Sequence, residues 1–145
     1  MNDCKLAASE LLENFQVQLK IVQQKMINED ATKFRLVSEL CEISRGKVLS
    51  KEYLEKNKGD YPVYSSQTSD SGCIGKIDTY MYEGPHITWT TDGAYAGTVF
   101  IRDGKFNCTN VCGALRVSKD SISLRYLFNY LRAVSKRHVS YIGNP

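Results

Sequence analysis

The side chains that could do chemistry in this chain are few and scattered. Its two histidines, His86 and His138, lie far apart, and a serine near either one is what composition alone supplies in 145 residues. Five cysteines (Cys4, Cys41, Cys73, Cys108, Cys112) contain no Cys-x-x-Cys pair and no zinc-ligand spacing. That pattern reads as reduced thiols in a cytoplasmic protein. Asp103-Gly104-Lys105 has the carboxylate-x-lysine ending of a metal-dependent nuclease, but the other carboxylates are missing and the glycine marks a hairpin turn. There is no GxxxxGK[ST] phosphate loop. There is also no Asn/Asp-Pro-Pro-aromatic motif with the Gly-rich turn an amino-methyltransferase needs for its cofactor. The spaced glycines of Asp92-Gly93-Ala94-Tyr95-Ala96-Gly97 could bring backbone close to a phosphate, or could simply make tight turns. The sequence thus offers no catalytic centre, no metal site and no cofactor motif. What it offers is hydrogen bonding: small polar side chains and amides gathered in turns.

Those turns punctuate residues 87–117, ITWTTDGAYAGTVFIRDGKFNCTNVCGALRV, which read as a run of short strands. Asp92-Gly93 and Asp103-Gly104 are strong turn pairs, because glycine allows positive φ and aspartate bonds its own backbone. Between them Val99 and Ile101 share one face, and Thr98, Phe100 and Arg102 the other. Next, Phe106 and Cys108 alternate with Lys105, Asn107 and Thr109. The expectation is a half-exposed sheet with one apolar face and one polar face turned to a polar partner. Trp89, Tyr80, Tyr82 and Phe100 are expected in the core.

Around this sheet the chain supplies helices and loops. Residues 7–28 form the clearest helix, with Leu12, Phe15, Leu19, Val22 and Met26 at 3–4 spacing, a seam of the coiled-coil type. A single amphipathic helix is marginal alone in water, so it should pack on its own domain or find a partner helix. Residues 34–44 place Leu36, Val37, Leu40 and Ile43 at helical spacing, followed by a basic, loop-rich segment from Arg45 to Lys58. Residues 61–65 read as a strand that Pro62 pushes to a sheet edge, and residues 66–72 (SQTSDSG) as a polar loop. Ser121 or Ser123 can cap a closing helix with the stripe Leu124, Leu127, Leu131 and Val134. Lys136, Arg137 and His138 suit its C-terminal dipole. The fold class is α+β: a small mixed or antiparallel sheet domain with short helices (residues 31–145), preceded by a projecting coiled-coil-type helix (residues 1–30). No stretch approaches the roughly 20 apolar residues of a membrane span. The first thirty residues hold Lys5, Lys20 and Lys25 against Asp3, Glu10, Glu13, Glu29 and Asp30, so the net +3 of the chain comes from the remainder. A basic globular part suits a polyanionic partner.

The order of these pieces is specific. CEISRGK at residues 41–47, YPVYSSQ at 61–67 and the T-T-D-G-x-x-G-x-V block at 90–99 follow one another at a spacing that resembles a target recognition domain of type I restriction–modification specificity (S) subunits. The resemblance covers residues 33–145, and the preceding helix is similar to one of that family's spacer helices. It implies a subunit without chemistry of its own. Such a subunit grips duplex DNA and reads half of a bipartite site, while modification (M) subunits methylate adenine and a restriction (R) subunit cleaves. The resemblance covers one recognition domain where the family carries two, so the expectation is a partial specificity subunit. On this reading Arg45, Lys47, Lys51 and Arg102 are the candidate phosphate contacts. Ser66, Gln67, Thr68, Thr91, Asp92, Tyr95, Asn107 and Asn110 are the candidate base readers, since Asn and Gln can pair bidentately with adenine. The Leu12/Phe15/Leu19/Val22/Met26 seam would meet a second copy, another S chain or an M subunit. Two rivals stand beside this reading: a protein-interaction module whose sheet only scaffolds the helix, and a regulatory S fragment that occupies its partner without reading DNA.

Overall fold

The structure is a computed structural model that describes residues 35–118 and 122–139. The chain divides into two units, Met1–Arg35 and Leu36–Pro145. The expected N-terminal helix and its seam fall in the first unit and outside the described residues; Ser121 and the last six positions, in the second unit, also lie outside them.

The second unit is α+β; its described residues form eight strands in two four-stranded sheets. In the first sheet the order is β1 (Cys41–Arg45), β8 (Cys112–Val117), β5 (His86–Thr90), β6 (Val99–Arg102), and every neighbour is antiparallel. In the second it is β3 (Cys73–Ile77), β2 (Lys58–Tyr64), β7 (Lys105–Cys108), β4 (Tyr82–Glu83), with β2 and β7 parallel. Among the described residues there are three short α-helices, α1 (Val37–Leu40), α2 (Lys51–Lys56) and α3 (Leu124–Val134), the last continuing as a 3-10 turn over Ser135–His138, and a further 3-10 turn over Ser69–Gly72.

Both faces of the first sheet are covered. On one face Ile87, Val99, Leu115 and Cys41 meet Leu127 of α3, with Leu124, Phe128 and Leu131 packed alongside. The leucines recur every three to four residues, so α3 presents one stripe to the sheet, and each well-buried side chain contributes roughly 1.5–3 kcal/mol. Trp89 belongs to this face. Its ring lies over Gly113, its partner in register, where an added Cβ would sit 2.2 Å from the indole. On the other face Cys112 and Ala114 of β8 meet Phe106 and Cys108 of β7, flanked by Tyr64 and Tyr82. The Sγ atoms of Cys108 and Cys112 are 3.4 Å apart, and the four cysteines among the described residues are free thiols.

Several expectations change here. The polar face of the strands around residue 100 does not look outward: the second sheet covers it, and Thr88, Thr90 and Arg102 are buried. Along β7, Phe106, Asn107 and Cys108 are all buried, because both faces of that strand are occupied. Asp103-Gly104 is not a hairpin of paired strands. It carries the chain from β6 in one sheet to β7 in the other. Pro62 is not on an edge strand, since β2 lies between β3 and β7; its missing N–H is tolerated because the ladder with β7 involves only Val63 and Tyr64. The helical spacing over 34–44 yields only the single turn α1, after which Cys41 to Arg45 pair with β8. Ser123 occupies the N-cap of α3 through its carbonyl, which accepts from Leu127 N–H, and its hydroxyl does not cap.

Candidate nucleic-acid interface

Strand pairing, antiparallel in the first sheet and parallel between β2 and β7, brings four connections to one end of this unit. Arg45 at the end of β1 faces Gly113 at the start of β8, and Thr90 at the end of β5 faces Cys112. Tyr64 at the end of β2 faces Cys108 at the end of β7. The loops that follow β1, β2, β5 and β7 therefore leave together, and backbone bonds tie them. Gly46 N–H donates to Cys112 O (3.2 Å), Lys47 N–H to Cys108 O (3.2 Å), Thr109 N–H to Tyr64 O (2.9 Å) and Thr91 N–H to Val111 O (3.1 Å). The Thr109 hydroxyl donates to Ser65 Oγ at 2.9 Å. Gly46 is required at its position, because a Cβ there would lie 1.9 Å from the Cys108 carbonyl oxygen.

The loop after β5 is built by its own threonines. Thr90 Oγ1 donates to Tyr95 O and accepts from Thr98 N–H (3.1 Å), while Thr98 Oγ1 also donates to Tyr95 O (2.7 Å). Those bonds leave the Tyr95 ring 53% exposed, and Asp92 exposed with a carboxylate that accepts from Thr91 Oγ1. In the loop after β2, Gln67 Nε2 donates to Cys73 O (2.6 Å) and Ser69 O (3.4 Å). Its amide hydrogens thus shape their own loop. Asp70 and Ser71 there hold left-handed backbone (φ 48° and 50°), a conformation that persists where surrounding contacts fix it.

One such contact is Arg102. Its Nε donates to Thr88 Oγ1 (3.1 Å) and its Nη2 to Ser71 O, and the guanidinium carbon lies 3.6 Å from the Tyr64 ring centroid and 4.4 Å from that of Phe100. Burial lowers its pKa, and the neighbouring Tyr64 and thiols oppose that shift. Among the described residues no buried side-chain nitrogen or oxygen lacks a hydrogen-bond partner.

The expected phosphate contacts therefore separate. Arg45 and Lys47 are exposed at the loop end, Arg45 on the rim of a groove of about 460 Å³ shared with Trp89, Thr91 and His138. Lys51, on the first turn of α2, borders a different hollow with Lys58 and Lys76. Arg102 is a correction: it is only 8% exposed and clamps the β2 loop from inside, so it does not face a phosphate. Of the expected base readers, Asn107 is likewise internal, 2% exposed and donating to Thr79 O (2.8 Å). Asn110, Asp92 and Tyr95 are exposed, and Thr91, Ser66, Gln67 and Thr68 are half-buried in the converging loops. Gly46 was not among the expected residues, and its only sequence signal is its place between two cations. Among the described residues no group of His, Cys, Asp and Glu could hold a metal ion, and no helix is long and apolar enough to cross a membrane.

This fold is that of the S subunits. The crystal structure of a type I restriction–modification S subunit from M. genitalium matches with a TM-score of 0.59 at 20% identity, over 71% of this chain and 26% of that one. The HsdS subunit of Thermoanaerobacter tengcongensis matches with a TM-score of 0.65 at 14% identity, over 95% and 39%. The chain belongs to the family whose model is described as the type I restriction modification DNA specificity domain, which matches residues 28–144. A Mycoplasma pneumoniae protein named as the N-terminus of a type I specificity subunit is 48% identical over 105 residues, 72% of this chain and 56% of its own length. The type I restriction enzyme MpnII specificity subunit of the same organism is 42% identical over 103 residues, 71% of this chain and 31% of its own length. The chain thus spans about half, or less, of these relatives.

Proposed function

We propose that this chain reads duplex DNA as part of a type I restriction–modification specificity subunit, and directs adenine methylation and cleavage that partner subunits perform. The observation that carries the reading is the convergence of four loops on one end of the fold. That end bears two exposed cations, Arg45 and Lys47, beside exposed hydrogen-bonding side chains, Asn110, Asp92 and Tyr95. Cations and backbone N–H groups fix a duplex by its phosphates, and a few side chains in the major groove supply the sequence. Within that division Lys47, bridged to Thr109, would hold a phosphate beside the turn that presents Asn110. Lys51 would touch the backbone further out. Asn110 can reach base edges bidentately, Asp92 can accept from a cytosine amino group, and Thr91, Tyr95, Ser66, Gln67 and Thr68 supply shape and single bonds. The domain itself performs no bond-breaking step. An M subunit, and through it the R subunit, would be its working partners, with the Leu12–Met26 seam as the docking element. The test is binding of the chain, with its modification subunit present, to long duplex DNA across a salt series. Affinity should fall steeply with ionic strength, and Lys47→Ala should weaken binding about equally on all sequences. Undetectable binding at low salt would refute the reading and favour a regulatory fragment that occupies its partner through the helix.

A further inference from the structure

The closing turn of the chain's second unit is fastened to one of the converging loops. Ser135 Oγ donates to Gly97 O at 2.6 Å. Gly97 holds a left-handed backbone (φ 78°), and a Cβ on it would lie 2.7 Å from Val139 Cγ2 and 3.3 Å from Lys136 N, so a side chain there would be strained and would press on the turn. Residues 92–97 and residues 135–139 therefore form one surface.

That surface is strongly cationic on the turn side. Residues 124–139 contain Arg125, Arg132, Lys136 and Arg137, all exposed, and no Asp or Glu. None of the four forms an ion pair among the described residues. The helix dipole accounts for part of this, since cations suit a helix C-terminus. Yet that end carries only about half an elementary negative charge, against three cations in the last turn and its extension. The excess has no counter-charge on its own element. The loop it abuts offers one carboxylate, Asp92, whose oxygen already accepts from Thr91.

We propose that Lys136 and Arg137, with Arg132 one turn behind them, form a phosphate-contacting track that extends the DNA interface beyond the β5–β6 loop. The inference rests on the reading that the loops face a duplex. It assigns the polyanion a second footing on α3, so that a duplex read at residues 92–95 is gripped on its flank by the terminal turn. A DNA backbone is the occupant favoured by continuity with the loop end and by a run of cations without interleaved acids. An acidic protein surface is the competing occupant.

The experiment uses the full chain with its modification subunit and a long duplex as probe. The variants are Lys136→Gln/Arg137→Gln and the charge-keeping Lys136→Arg, each checked for an unchanged far-ultraviolet spectrum. The double Gln variant should weaken binding about equally on all sequences and reduce the slope of log affinity against log salt by about one to two, at ~0.9 for each phosphate no longer neutralised. Lys136→Arg should keep the slope. An unchanged slope in the double variant, while the wild type binds steeply, would overturn the inference and leave the DNA-reading proposal standing. The same unchanged slope with weakened capture of the modification subunit would hand this face to an acidic protein. No duplex binding by the wild type would overturn both.

Discussion

Replacing Arg102 with methionine separates two roles that a sequence cannot tell apart. As a phosphate contact, Arg102 would contribute to DNA affinity through counterion release and little to stability. The structure gives it another role. It makes charge-assisted bonds to Thr88 Oγ1 and Ser71 O, and its guanidinium lies against the Tyr64 and Phe100 rings. Each such hydrogen bond is worth roughly 1.5–3 kcal/mol and the desolvated cation–π contact with the closer ring, Tyr64, about 2 kcal/mol, so the gross cost of removing these three is roughly 5–8 kcal/mol. Methionine recovers the desolvation penalty of a buried cation, several kcal/mol, and keeps the apolar stem. The net destabilisation should be about 2–3 kcal/mol, which lowers the melting temperature by roughly 10 °C in a domain of this size. Calorimetry or denaturant unfolding measures the first quantity, and a salt titration of duplex binding the second. The expected result is the drop in stability with an unchanged salt slope. Wild-type stability with a slope reduced by about one phosphate's share would instead place Arg102 on the DNA backbone.

Gly46→Ala should cost about 2–5 kcal/mol in denaturant unfolding. Its Cβ would meet the Cys108 carbonyl at 1.9 Å, which sacrifices the Gly46–Cys112 and Lys47–Cys108 backbone bonds and adds overpacking. A near-neutral effect would mean that β1 does not cross so close to β7. Burial raises the Cys41 thiol above its ordinary value of 9.0. The folded protein therefore holds a proton that the unfolded chain releases. This contribution is fully present below about pH 9 and is lost as pH rises from there through the folded value, by at most ~1.4 kcal/mol per pH unit for one proton. Under reducing conditions the urea midpoint should fall between pH 8.5 and 10.5, and less steeply in Cys41→Ala. Equal slopes in the two proteins would show that Cys41 titrates as freely in the folded state as in the unfolded one.

The local features were legible in the sequence and the layering was not. The Leu124/Leu127/Leu131 stripe identified α3 and its buried face, because helical periodicity survives in a helix covered on one side only. Asp92-Gly93 identified a turn from backbone chemistry alone. Period-two alternation around residues 99–110 assigned side chains to faces but could not say what covers each face. A second sheet takes in Thr88 and Arg102, and the Thr79 segment closes over Asn107 within that sheet, residue types that ordinarily mark solvent. Their partners, Ser71 for Arg102 and Thr79 for Asn107, lie 31 and 28 positions away, beyond the reach of any local pattern. The same limit hid Gly46, whose neighbour is Cys108, and Pro62, whose interior place depends on a parallel ladder only two residues long. At the candidate interface the loops were recognisable as loops. Which of their polar side chains face outward depended on which ones the loop uses to build itself, as Gln67 does and Asn110 does not.

On the reading proposed above, the converging loops read DNA sequence on behalf of a methylating partner. The most direct test of that reading is the map of methylated adenines in cells that hold the modification subunit, with and without this chain, and with Asn110→Ala in its place. A methylated motif should appear only with the chain, and should lose selectivity at one position in the variant, by about 1–3 kcal/mol of discrimination for a missing bidentate pair. An identical methylation map in all three strains would contradict it.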